Sequence, residues 1–95
     1  MLIYVDIDNT ICITAKSDYT KSIPNKSNIE KINVLYDKGN TIIYWTARGG
    51  NSKVDHTKIT KHQLDFWGCK YHKLSTNKPS FYLLIDDKTV RMDEL

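Results

Sequence analysis

The sequence predicts an α/β protein built on a small, mainly parallel sheet, and three observations carry that expectation. Residues 2–6, 41–46 and 81–85 are short apolar runs of the kind that form strands buried on both faces. Residues 28–38 and 55–67, which alternate with them, carry helical spacing. Each of the three runs also ends in polar residues, which a parallel sheet delivers to one edge, the edge where ligands bind.

The elements follow in order. Residues 2–6 read as a buried strand ending in a carboxylate, and Ile7 to Pro24 as a long polar loop, a length that is usually functional in a small domain. Ser27 with Glu30 reads as a capping box opening a helix over 28–38, with Ile29, Ile32, Leu35 and Tyr36 on one face and Gly39 as its stop. Residues 41–46 are β-branched and aromatic, a second buried strand. Paired glycines, Gly49 and Gly50, mark a loop before a helix over 55–67 that stops at Gly68. Residues 70–74 alternate as an edge strand, Lys78-Pro79-Ser80 is a turn, and 81–85 is a further buried strand. Helices on both faces of such a sheet give a three-layer, Rossmann-like architecture.

The chain has 95 residues, 40% hydrophobic and 26% charged, which suits one domain over 1–95. The net charge of +3 suits an anionic ligand. Its lysines are spread along the chain, so no basic tail or strand-binding groove for nucleic acid stands out. The opening apolar run meets Asp6 too soon for a signal peptide, and no run reaches the length of a membrane span. Cys12 and Cys69 form neither a disulfide framework nor a zinc set. These features predict a cytoplasmic protein with reduced thiols and no membrane partner.

The three strand ends supply Asp6 and Asp8, Thr46 and Arg48, and Asp86 and Asp87. Carboxylates gathered at one edge are costly unless a cation neutralises them, and hard oxygens suit Mg²⁺. Thr46 offers a hydroxyl and Lys78 a compact positive charge to a phosphate. An aspartate can attack phosphorus, and a second carboxylate can protonate the leaving oxygen. Read one at a time, Asp6 and Asp8 are turn formers, Asp86 and Asp87 a solvated cap, Thr46 a β-former and Lys78 a turn lysine. Their convergence argues for chemistry. His56, His62 and His72 lack ligand spacing, nothing activates Cys12, and Trp45, Phe66 and Trp67 read as core.

With these residues in view, the chain resembles the haloacid-dehalogenase superfamily in its capless phosphatase form. The matching motifs are Asp6-Ile7-Asp8-Asn9-Thr10 after a hydrophobic strand, Ile42-Ile43-Tyr44-Trp45-Thr46, Lys78, and Ile85-Asp86-Asp87, in the family's order. The resemblance implies Asp6 as nucleophile and metal ligand, and Asp8 as acid/base with its carbonyl on the metal. It implies Thr46 and Lys78 on the phosphoryl group, Asp86 completing a Mg²⁺ site, and Asp87 beside it. An aspartate at position 8 resembles the phosphatases rather than the ion pumps. Arg48 falls where similar capless polynucleotide end-healing domains carry an arginine, which implies a substrate contact. Tyr44 to Arg48, Trp67-Gly68-Cys69 and Lys78-Pro79-Ser80 resemble small phosphatases of capsular or surface-polysaccharide synthesis, which implies a small phosphorylated substrate such as a sugar phosphate. A polynucleotide 3′-phosphatase is the alternative, and a non-catalytic phosphate-binding domain a third. The chain departs from many relatives in having no room for a cap and little sequence after Asp87. The sheet is therefore expected to be minimal, and a homodimer, joined through residues 11–24 or the C-terminal segment, is expected to shield the site.

Overall fold

The structure, a computed structural model, describes residues 1–15, 18–48, 55–79, 81 and 83–95. Strand β1 (Leu2–Val5) leads into a short antiparallel ladder of β2 (Cys12–Ile13) and β3 (Ile23–Pro24). Helix α1 (Lys26–Asp37), strand β4 (Thr41–Trp45), helix α2 (Thr57–Phe66) and strand β5 (Lys73–Ser75) follow. The main sheet has the order β1-β4-β5 and is parallel throughout, with Val5 opposite Tyr44 and Tyr44 opposite Leu74. This is a small α/β fold, as expected. The segment after β1 is no plain loop: the β2–β3 ladder folds its two ends together.

Among the described residues both helices cover one face of the sheet, where the three-layer expectation has helices on two. Both crossovers step in the same direction, from β1 to β4 to β5, and right-handed crossovers then place α1 and α2 on the same side. The two helices meet there: the Asn33 side chain in α1 donates to Gly68 O at 2.9 Å and accepts from Lys70 N at 2.8 Å, just beyond α2. Burial along β4 alternates accordingly. Ile42 and Tyr44 are buried, Thr41 is exposed, and Ile43 and Trp45 are only partly covered. The core gathers Val5, Ile42 and Tyr44 from the sheet, Ile29 and Ile32 from α1, Leu64 from α2, and Ile7, Ile11 and Cys12 from the turn after β1.

Helix α1 starts earlier than the Ser27–Glu30 pair suggests. Asn25 is its cap, accepting Asn28 N at 3.1 Å, which leaves Ser27 inside the first turn. Gly39 ends it at φ +95° and Gly68 follows α2 at φ +76°, both in the left-handed region that favours glycine. Phe66, expected in the core, is 81% exposed, because the inward face of α2 carries Thr60, Gln63 and Leu64. The strand expected over 81–85 is absent among the described residues, and Leu83, Leu84 and Ile85 are exposed. Gly49 and Gly50 lie outside the described residues. No helix among the described residues is long and apolar enough to cross a membrane.

Candidate active site

The site forms where β1 ends. Past Val5 the chain turns sharply: Thr10 N and Ile11 N both donate to Ile7 O, at 3.1 and 3.0 Å. Asn9 takes φ +60° in this turn, a conformation asparagine tolerates. Ile7 and Ile11 are fully buried and hold the turn down, so Asp6 and Asp8 are presented at the carboxyl edge of the sheet. Asn28 of α1 ties the turn to the helix, donating from Nδ2 to Thr10 O at 2.8 Å.

Asp6 keeps one side toward solvent, its side chain being 37% exposed. Its Oδ1 pairs with Lys78 Nζ at 2.8 Å, and its Oδ2 accepts from Thr10 Oγ1 at 3.1 Å. Lys78 is fixed at both ends: its backbone N donates to Thr46 O at 3.2 Å, and its ammonium lies over the rings of Trp45 and Phe81. Thr46 is buried at the end of β4, and its Oγ1 accepts Arg48 N at 3.0 Å, an arrangement that leaves the hydroxyl as a donor. Asp6, Thr46 and Lys78 are thus brought together, as the sequence predicted.

Asp8 sits deeper. Its Oδ1 accepts from Thr14 Oγ1 at 2.6 Å and from Arg48 Nη2 at 2.7 Å, and its Oδ2 accepts from Arg48 Nε at 3.0 Å. Burial opposes ionisation of this carboxyl, but the Arg48 guanidinium and the Thr14 hydroxyl outweigh it and hold the pKa below the usual carboxylate range.

Arg48 was expected at the substrate, and the structure places it elsewhere. The residue is 3% exposed and its guanidinium is filled by neighbours: Asp8, Thr60 Oγ1 at 3.2 Å, Gln63 Oε1, and the Tyr19 ring, 4.5 Å from Cζ to the centroid. A buried arginine is stable only when so paired. It buttresses Asp8 instead of reaching outward. Thr14, Thr60 and Gln63 were not anticipated as part of the site. The readable signal was polar Thr60 and Gln63 three residues apart, next to Leu64, on the inward face of a helix.

Asp86 and Asp87 do not join this group. Both are exposed, and Asp86 Oδ1 accepts Lys88 N at 3.0 Å. The reason is topological: Lys78 is pinned to the end of β4, only four residues (79–82) separate it from Leu83, and a parallel crossover back to β1 needs about a dozen. Among the described residues no group of three or more His, Cys, Asp or Glu could hold a metal ion. One chain therefore offers Mg²⁺ the Asp6 carboxylate and the Asp8 carbonyl without the further acidic ligands expected from Asp86 and Asp87, a set that would leave the remaining positions to water and substrate phosphate. Neither cysteine is activated: burial raises the Cys12 thiol and pushes Cys69 up to about 11.

No family model and no curated protein matches the chain. The crystal structure of an MCSG target from Vibrio cholerae does match, with a TM-score of 0.85 and 29% identity, over 98% of this chain and 85% of that one. The two share a fold along nearly the whole of this sequence.

Proposed function

We propose that the protein is a phosphate-monoester hydrolase of the haloacid-dehalogenase type, dependent on Mg²⁺, with Asp6 as nucleophile and Asp8 as acid/base. The observation that carries this reading is the carboxyl edge itself. An accessible aspartate there lies 2.8 Å from a lysine ammonium, with a second carboxylate two residues on and the Thr46 hydroxyl at the end of the next strand. A phosphate ester drawn to Lys78 and Thr46 would present phosphorus to Asp6. The Asp6 oxygen forms a bond to phosphorus as the ester P–O bond breaks. Asp8, ionised beside Arg48, would first take a proton from the monoanionic phosphate of the incoming ester, give it to the departing oxygen, and then accept one from the water that cleaves the aspartyl-phosphate.

A small phosphorylated metabolite such as a sugar phosphate is the substrate class favoured here. The polynucleotide alternative drew support from Arg48 as a substrate contact and from the net positive charge, and the Arg48 guanidinium is occupied by Asp8, Thr60 and Gln63. A purely phosphate-binding domain would have no need of an acid/base at position 8. The test is a panel of sugar phosphates, nucleotides and 3′-phosphorylated oligonucleotides in Mg²⁺, run on the native chain and on Asp6→Asn. The native chain should release phosphate from a sugar phosphate, and folded Asp6→Asn should lose nearly all turnover. Near-native turnover in that variant would refute the assignment.

A further inference from the structure

Two surfaces lack partners among the described residues. The outer edge of β1 pairs with no strand, and its Leu2 and Tyr4 are 61% and 54% exposed. Downstream, Leu83 and Ile85 are 73% and 86% exposed with Leu84 between them, an apolar run of strand length that ends in Asp86 and Asp87. An open strand edge and an unpaired apolar segment are each a liability, and each is the natural complement of the other.

They cannot meet within one chain in the parallel sense. The backbone at Lys78 is fixed to the carboxyl end of β4, and four residues are too few to return past β1 to the opposite edge of the sheet. An antiparallel pairing would be reachable, but it would carry Asp86 and Asp87 to the edge away from Asp6. A second copy escapes this restriction, because its β1 need not lie on the near side of the connection. Short hinge segments of this kind favour exchange between protomers. The segment is also tethered at both ends, by Lys78 at Asp6 and by Met92 against the core, while 83–91 is exposed throughout. It can therefore reach a neighbour with the rest of the sheet intact. The likeness to the Vibrio cholerae structure spans 98% of the chain, so this segment belongs to a shared architecture and is no appended tail.

We infer that residues 83–85 of each protomer add a parallel strand to the outer edge of β1 in a second copy of this chain, and so set the partner's Asp86 and the partner's Asp87 beside Asp6 and Asp8. The exchange is reciprocal, as a twofold dimer requires. It gives the apolar edge of β1 and the apolar segment one common cover. It also supplies the acidic ligands that a single chain fails to assemble. That completion of the site rests on the hydrolase reading above; the exchange itself does not.

Two measurements separate them. Light scattering on the full chain at high micromolar concentration should give a dimer mass, and Leu84→Lys/Ile85→Lys should give a monomer that keeps the helical circular-dichroism signal, since both side chains are exposed in the single chain. A monomer mass for the native chain, or a dimer mass for that variant, overturns the exchange whatever the activity. The second measurement mixes two inactive chains, Asp6→Asn and Asp86→Asn/Asp87→Asn, by refolding them together. Half the dimers are then mixed, each has one intact site out of two, and about a quarter of native turnover should return. A mixture as inactive as its parts, beside an active native enzyme, overturns the sharing of the site. If the native chain hydrolyses no phosphate ester, the hydrolase reading fails and the two masses still decide the exchange.

Discussion

Replacing Arg48 with methionine should destabilise the protein, relative to the native chain, more at neutral pH than at acid pH. Methionine keeps much of the side-chain volume and removes the charge. The Arg48 side chain is 1% exposed and that of Asp8 24%, with contacts at 2.7 and 3.0 Å. Breaking a buried ion pair by removing one partner costs roughly 3–5 kcal/mol, because the other charge is left without compensation. Water reaches part of Asp8, so about 3 kcal/mol is the reasonable figure, or a fall in melting temperature of roughly 12–24 °C for a domain of this size. The pH dependence follows from the direction of the Asp8 shift. Its folded pKa is depressed, so it contributes stability above its unfolded pKa, and this is lost as pH falls through the folded value. Without Arg48, only hydrogen bonds such as that from Thr14 oppose the effect of burial, so the Asp8 pKa rises and acid neutralises the stranded charge. Urea denaturation of both proteins at about pH 7 and about pH 4 measures the difference, which should shrink markedly at the lower pH. A loss below about 1 kcal/mol at neutral pH, or an equal loss at both, would refute the pairing as the source of Asp8's properties.

Three further outcomes follow from the same structure. Asp8→Asn should slow hydrolysis of a sugar phosphate far more than that of an activated aryl phosphate, since only a basic leaving oxygen needs a proton; equal losses in steady-state assays would make Asp8 structural. Excess chelator should abolish phosphatase activity and added Mg²⁺ should restore it, while undiminished turnover in chelator would remove the metal from the proposal. Asn25→Ala removes the cap of α1 and should cost about 1 kcal/mol, or roughly 4–8 °C in a thermal melt; an unchanged melting temperature would show that the Asn28 N–H finds another acceptor.

Much of the fold was legible because it rests on local signals. The apolar runs at 2–6 and 41–46 and the glycines at 39 and 68 mark strands and helix stops through side-chain burial and backbone freedom, properties of a few adjacent residues. The place of Asp6 was legible for the same reason, as a carboxylate directly after a buried strand. The start of α1 was misplaced by two residues because Asn25 and Ser27 are both competent caps, and only the fit against the turn, through Asn28 and Thr10, chooses between them.

By itself, the sequence determined the α/β class, the parallel order of elements and the meeting of Asp6, Thr46 and Lys78, because each depends on where a strand stops. Tertiary structure decided what depends on distance across the chain. It turned Arg48 inward, since Asp8 from the turn after β1 and Thr60 and Gln63 from α2 together satisfy a guanidinium that no one of them could hold alone. It put both helices on one face, because handedness and strand order act jointly. It also kept Leu83, Leu84 and Ile85 out of their own sheet: the run has the composition of a buried strand, but the backbone bond at Lys78 leaves too little chain to close the crossover.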